Sequence, residues 1–266
     1  MTHSRLSFRR THIFVAFVTA AVTVAACRLS TAASDVDRFG SGPRRILFIG
    51  NSLTAANSMP GMLVALAESA KVASTPTVDV DWLPDFALID HWAFGEAQGL
   101  IANGHYDVIL LQQGPSSVAA NRDTLRLAAK LFGDVARAKG GTTVMLSVWP
   151  TVNRQADFDR ATESYRLAAQ DVGGLLVPAG ETWRAAWRRN PNLAFYSADG
   201  LHPSALGSYA VATSIFAVLY DRPAVGLPAA IRVAGRSTYA FDTATARIVQ
   251  ESADEAIRQF GLERTP

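Results

Sequence analysis

Five strand-like runs, at 45–50, 77–83, 106–112, 142–149 and 174–178, are separated by segments long enough for helices, and this alternation constrains the fold more than any other feature. Strands alternating with helices form a parallel sheet covered on both faces. Helical patterning covers 59–72, 88–103, 122–139, 156–171, 180–188, 204–220 and 243–260. The third of these starts at Asn121 and stops before Gly140-Gly141, which is good termination chemistry. The expectation is one α/β domain with a parallel sheet of about five strands between two helical layers. Ligands of such sheets sit beyond the carboxyl ends of the strands, so the loops there carry the functional information.

The first of those loops follows Ile46-Leu47-Phe48-Ile49-Gly50, a buried apolar strand that runs into Asn51, Ser52 and Leu53. Near the other end of the chain, Asp199-Gly200-Leu201-His202-Pro203 puts a carboxylate and an imidazole three residues apart, where one turn of backbone brings them together. A serine nucleophile needs an imidazole to take its proton, and an anion to fix the tautomer and stabilise the imidazolium. These two blocks, about 150 residues apart and in this order, resemble those of the GDSL or SGNH hydrolase superfamily. Gly50-Asn51-Ser52-Leu53 departs from Gly-Asp-Ser-Leu only by Asn for Asp, a position that transfers no proton in the family. The resemblance runs from Arg45 to about Ala210. It implies a flavodoxin-like three-layer α/β/α fold, with Ser52 as nucleophile, His202 as base and Asp199 as its partner.

The family's third block carries an asparagine amide in the oxyanion hole, and here the loop after the third strand reads Gln112-Gln113-Gly114-Pro115-Ser116-Ser117 instead. It is similar to the Gln-Gly-Glu-Ser block of the carbohydrate-esterase relatives, except at Pro115. Neighbouring strand residues face opposite ways, and Gln113 is the expected donor rather than Gln112; the alternative is that both simply end a strand in solvent. The second block usually gives a backbone N–H from a glycine. Pro84-Asp85-Phe86-Ala87-Leu88 has no glycine, which leaves Phe86 or Ala87 as donor beside the Ser52 N–H.

Beyond residue 26 the histidines are His91, His105 and His202. His105 precedes the third strand, at the wrong end of the sheet, and His91 sits beside Trp92 near a helix start, where a structural role fits better than catalysis. No histidine pair has metal-ligand spacing, and neither metal nor cofactor is implied. Trp149, at the carboxyl end of the fourth strand, fits a sugar platform or acyl-pocket wall as well as the core. Tyr196, just before Asp199, either shapes the pocket or anchors the loop.

Residues 1–26 carry Arg5, Arg9 and Arg10, no acid, and an apolar stretch from Ile13 to Ala26 that is too short to span a membrane, so they read as a signal peptide. Val24-Ala25-Ala26-Cys27 resembles a lipobox, with Cys27, the chain's one cysteine, as the acylated first residue. The alternative is ordinary Ala-x-Ala cleavage, which leaves an unmodified thiol. Residues 27–43, rich in Ser, Thr, Ala, Gly and Pro, read as a tether to the domain at 44–266. Without residues 1–26 the chain holds 22 Lys and Arg against 23 acids, a balance that does not point to nucleic acid as a partner.

The expected activity is ester hydrolysis by an exported, lipid-anchored enzyme. The Gln-Gly-x-Ser block and the export signal lean towards deacetylation of an extracytoplasmic glycan, by analogy. A lipid or aryl esterase, including a lysophospholipase, is the enzyme alternative. An envelope binding protein on a degenerate hydrolase fold is the non-enzymatic one.

Overall fold

The computed structural model describes residues 42–233 and 238–261, so the segment expected as a signal peptide, Cys27 and nearly all of the expected tether lie outside the described residues. Five strands, β1 (Arg45–Gly50), β2 (Thr77–Trp82), β3 (Val108–Leu111), β4 (Thr142–Ser147) and β5 (Leu175–Pro178), form one sheet in the order β2-β1-β3-β4-β5. Every pairing in it is parallel. Ile46 to Ile49 of β1 and Val108 to Leu111 of β3 are fully buried, as strands covered on both faces must be.

Helices α1 (Ser52–Ala55) and α2 (Met59–Ser69) lead from β1 to β2, and α3 (Leu88–Phe94) and α4 (Glu96–Asn103) lead back across β1 to β3. They are followed by α5 (Ala119–Ala138) after β3 and α6 (Phe158–Val172) after β4. The remaining helices are α7 (Ala179–Arg189), α8 (Ala205–Tyr220) and α9 (Thr243–Phe260). The α3, α4, α5 and α6 helices pack together in one layer, while α2, α7, α8 and α9 form the other. The chain moves outwards from β1 to β2 and then reverses to β3. That reversal opens a crevice between the carboxyl ends of β1 and β3, the switch point of a 2-1-3-4-5 sheet.

The segment expected as one helix over 88–103 is two helices. Gly95, at φ +91°, takes a left-handed conformation that ends α3 and redirects the chain into α4. The short antiparallel pair β6 (Ala230–Arg232) and β7 (Thr238–Ala240) was not anticipated, because three-residue strands leave no readable alternation.

The edge strand β2 departs from a plain amphipathic strand at its end, where an acid is buried and a tryptophan is exposed. Asp81 is buried, whereas the half-exposed Asp79 is held by Arg45 and by the Tyr106 hydroxyl. The strand's apolar residues Val78, Val80 and Trp82 share the opposite face, where Val80 and Trp82 stay 38% and 45% exposed.

Candidate active site

Gly50 ends β1 at a point where no side chain fits. A Cβ there would lie 2.5 Å from Thr54 Oγ1 and 2.6 Å from Gln112 Oε1. Asn51 follows in extended conformation, and its Oδ1 accepts from the Leu53 N–H at 3.1 Å, which starts α1. Ser52 is the first residue of that helix, so its N–H precedes the helical ladder and has no intrahelical acceptor.

The Asn51 amide is more than a cap, because its Nδ2 donates to the Phe86 carbonyl at 3.1 Å. An aspartate could not make that bond while ionised. The Asn-for-Asp departure is therefore matched by the loop it faces.

Gln112 and Gln113 divide their labour as neighbouring strand residues should, but with an unexpected weight on Gln112. Its buried amide reaches under the serine turn. There Oε1 accepts from the Asn51 N–H (3.1 Å) and the Thr54 hydroxyl (2.7 Å), while Nε2 donates to Asn51 Oδ1 (3.0 Å) and the Gln113 carbonyl (2.6 Å). Neither glutamine ends in solvent.

Gln113 faces the crevice. Its Oε1 accepts from the Leu88 N–H at 3.0 Å, which fixes the amide orientation, and its Nε2 donates to Ser116 Oγ at 2.8 Å with a second N–H to spare. The Tyr165 hydroxyl bonds to the Gln113 backbone on both sides, accepting from its N–H and donating to its carbonyl. Burial pushes this phenol far above its ordinary titration range, so it stays a donor.

The turn after β1 and the loop between α7 and α8 meet at Ser52. His202 Nε2 lies 2.9 Å from Ser52 Oγ, and His202 Nδ1 lies 2.6 Å from Asp199 Oδ2. This is the tautomer with hydrogen on Nδ1, leaving Nε2 free to accept the serine proton. Asp199 Oδ1 accepts from Ser197 Oγ and from the Leu201 and His202 N–H groups at 2.8–2.9 Å. Those bonds, led by the Leu201 N–H and followed by the imidazole, hold its carboxyl well below the usual carboxylate range.

Gly200 makes the turn possible with φ +69°, at a position where a Cβ would also strike Val152 at 2.5 Å. Asn57, itself left-handed at φ 53°, donates to the Pro203 carbonyl and to Ser208 Oγ, both at 2.9 Å. It ties the serine segment to the histidine block across the sequence, and nothing in the sequence singled it out.

Trp149 and Tyr196 both take the structural side of their alternatives. Trp149 is 1% exposed, stacks on Trp183 at 3.6 Å, and donates its indole N–H to the Leu201 carbonyl at 2.9 Å. It supports the histidine loop from within the core and lines neither cavity beside Ser52. Tyr196 likewise anchors that loop, through a bridge to Pro203 and a 2.6 Å bond from its hydroxyl to the Pro150 carbonyl.

Of the two candidate oxyanion donors on the β2–α3 loop, Ala87 has its N–H committed to Asp90 Oδ2 at 2.8 Å. The Phe86 N–H is only loosely engaged, 3.4 Å from the Leu83 carbonyl.

His91 is completely buried. Its Nε2 bonds to the Gly50 carbonyl at 2.8 Å, and its Nδ1 faces Asp81 Oδ2 at 3.3 Å. It clamps α3 to the end of β1 and stands apart from the Ser52 hydroxyl.

Ser52 divides two cavities. The larger, about 680 Å³, has His202 and the apolar face of β2 in its wall, and the smaller, about 370 Å³, has Gln113, Phe86 and Ser116.

A 2-1-3-4-5 parallel sheet with a serine, an imidazole and a carboxylate in hydrogen-bond contact at its switch point defines a hydrolase-type α/β fold. No family model and no curated protein matches the chain. Among solved structures, it is similar to a protein of Slackia heliotrinireducens designated an SGNH hydrolase (28% identity, TM-score 0.55, 64% of this chain and 95% of that one). A DUF4886 family protein of Bacteroides uniformis superposes at TM-score 0.67 with 18% identity, over 81% of this chain and 95% of that one. Axe2, an acetylxylan esterase of Geobacillus stearothermophilus, shares the fold at TM-score 0.52 with 14% identity, over 70% and 97%. The chain therefore has the α/β fold of SGNH, or GDSL, hydrolases, a fold it shares with solved hydrolases that act on esters.

Proposed function

We propose that this protein is a serine esterase working through Ser52, His202 and Asp199. The observation that carries the reading is the relay of 2.9 Å from Ser52 Oγ to His202 Nε2 and 2.6 Å from His202 Nδ1 to Asp199. Ser52 Oγ attacks the acyl carbonyl carbon as its proton passes to Nε2, and the ionised Asp199 stabilises the imidazolium. The developing oxyanion is met by the Ser52 N–H and the spare N–H of Gln113, with the loosely held Phe86 N–H as third donor. The carbon–oxygen bond to the alcohol breaks, His202 protonates the departing alkoxide, and water repeats the cycle in reverse to release the acid.

The amino-terminal arginines, the apolar stretch and Cys27 support export and a lipid anchor in the cell envelope. The Gln113-Gly114-x-Ser116 block supports acetyl esters of an extracytoplasmic glycan as substrate. The apolar wall of the larger cavity supports a second reading, an aryl or lipid ester. Turnover of 4-nitrophenyl acetate by the purified mature domain, lost in Ser52→Ala, tests the core of the proposal. A folded domain that turns over neither short nor long nitrophenyl esters, and whose Ser52 resists a fluorophosphonate, would instead be a binding protein on this fold.

A further inference from the structure

We infer that the larger cavity beside Ser52 is the seat of the alcohol half of the ester, and that Trp82 is its specificity-determining residue for alcohols carrying a ring. This rests on the esterase reading above and deepens it.

The argument starts from the proton that the leaving oxygen must receive. In the second half of acyl transfer that proton comes from His202 Nε2, so the alcohol must lie on the side of Ser52 that His202 faces. His202 forms part of the wall of the 680 Å³ cavity and is absent from the wall of the 370 Å³ one. The oxyanion donors have the opposite distribution, since Gln113 and Phe86 line only the smaller cavity. The carbonyl oxygen therefore points into the smaller cavity and the alkoxide oxygen into the larger.

The linings agree with this division. The smaller cavity mixes apolar walls such as Phe86 and Leu201 with Asp85, Gln113, Asn121 and Thr124, and its lower volume leaves less room for an extended alkyl chain, which would also desolvate those polar groups. A short acyl group meets no such penalty. The larger cavity is walled by Val78, Val80 and Trp82 along one face of β2, by Pro60 and Gly61 of α2, and by Val233. Gly61 keeps it wide on that side, because a Cβ there would approach Val233 Cγ1 to 2.6 Å.

Val80 and Trp82 are among the few large apolar side chains left exposed in the described residues, and they stand side by side next to the nucleophile. An apolar patch of this kind on an edge strand is an aggregation liability unless it has a function. A half-exposed indole binds a flat apolar surface by stacking and area burial. A ring with an apolar face supplies that surface, whether it is an aryl ring or the carbon-rich face of a pyranose.

The test is a two-way ester panel on the purified mature protein and its Trp82→Ala and Val80→Phe variants. One axis holds the acyl group as acetyl and varies the alcohol across ethanol, cyclohexanol, phenol and a methyl xyloside. The other holds phenol and varies the acyl group from acetyl to octanoyl. Trp82→Ala is expected to lower the ratio of kcat/KM for ring acetates over ethyl acetate by roughly tenfold, chiefly through KM, as loss of one stacked contact requires. Val80→Phe, which narrows the cavity at a half-exposed position, should lower the same ratio without unfolding the protein. In both variants the acyl-length profile should keep its shape. Sensitivity of the phenyl or of the xyloside ester identifies which ring source the site prefers, and either supports the assignment. A variant that changes the acyl-length profile and leaves the alcohol ratio alone would overturn it, as would two variants that change neither. Failure of the underlying esterase reading looks different: wild-type protein would then turn over no ester of either axis and would not be labelled at Ser52 by a fluorophosphonate.

Discussion

Replacing Gln112 by alanine should damage both stability and turnover, although the residue touches no substrate. The carboxamide is fully buried and serves four partners. Two of these have other partners to fall back on, since Asn51 Oδ1 retains the Leu53 N–H and the Gln113 carbonyl retains the Tyr165 hydroxyl. The other two are donors that would be orphaned, the Asn51 N–H and the Thr54 hydroxyl. A buried unsatisfied N–H costs about 2 kcal/mol, and a hydroxyl that can rotate costs about 1 kcal/mol. The lost methylene adds about 0.8 kcal/mol, which brings the total to about 4 kcal/mol. A water entering the hole and serving both donors would reduce this to about 2 kcal/mol. Domains of this kind have roughly 5–15 kcal/mol in reserve, so the variant should still fold. With a urea m-value of roughly 2 kcal/mol/M, the midpoint should fall by about 1–2 M. The serine turn loses its underpinning, and a displacement of its hydroxyl by about 1 Å is enough to lower kcat on the order of 100-fold. The assays are urea unfolding followed by tryptophan fluorescence, and kcat on a short-chain nitrophenyl ester. A Gln112→Ala protein within about 1 kcal/mol of wild type, with kcat within threefold, would show that the amide does not hold the turn.

Gln113→Ala should lower kcat by roughly 100-fold with little change in KM, as expected of a donor used in the transition state, and a KM effect alone would refute it. Asp199→Asn should cut kcat on the order of 10³-fold or more, because it disturbs the imidazole's tautomer and orientation. Asp199 is held below the ordinary carboxylate range, so its contribution to stability is complete above roughly pH 4 and is lost as the pH falls through its lowered value. His202→Ala should remove nearly all turnover, because it deletes the group that takes the serine proton, and a folded variant keeping more than a tenth of wild-type kcat would refute this. Trp149→Phe should cost about 2 kcal/mol through the lost bond to the Leu201 carbonyl, measured by urea unfolding, and should leave KM unchanged. Cys27→Ser should release the protein from the membrane fraction, and mass spectrometry of the wild type should find an acylated amino terminus at residue 27.

The sequence alone determined the sheet, because strand-length runs spaced by helix-length segments have few ways to bury both faces of a parallel array. It also determined the pairing of Asp199 with His202, since three residues and a glycine suffice to close that contact locally. The placement of Ser52 beyond the carboxyl end of β1 followed from the apolar strand before it. Contacts between distant segments were illegible, because no local pattern encodes them. Asn57 reaching Pro203, Tyr165 bracing Gln113, and His91 gripping the Gly50 carbonyl each depend on where helices land after the sheet has formed. Trp149 shows the same limit from the other side: its position at a strand end fits a pocket or the core equally, and only the packing of Trp183 against it decides. Gln112 and Gln113 were read as facing opposite ways because strand geometry is local. That Gln112 turns its amide under the Ser52 turn was decided by the tertiary structure, through the neighbouring end of β1 that brings two donors within its reach.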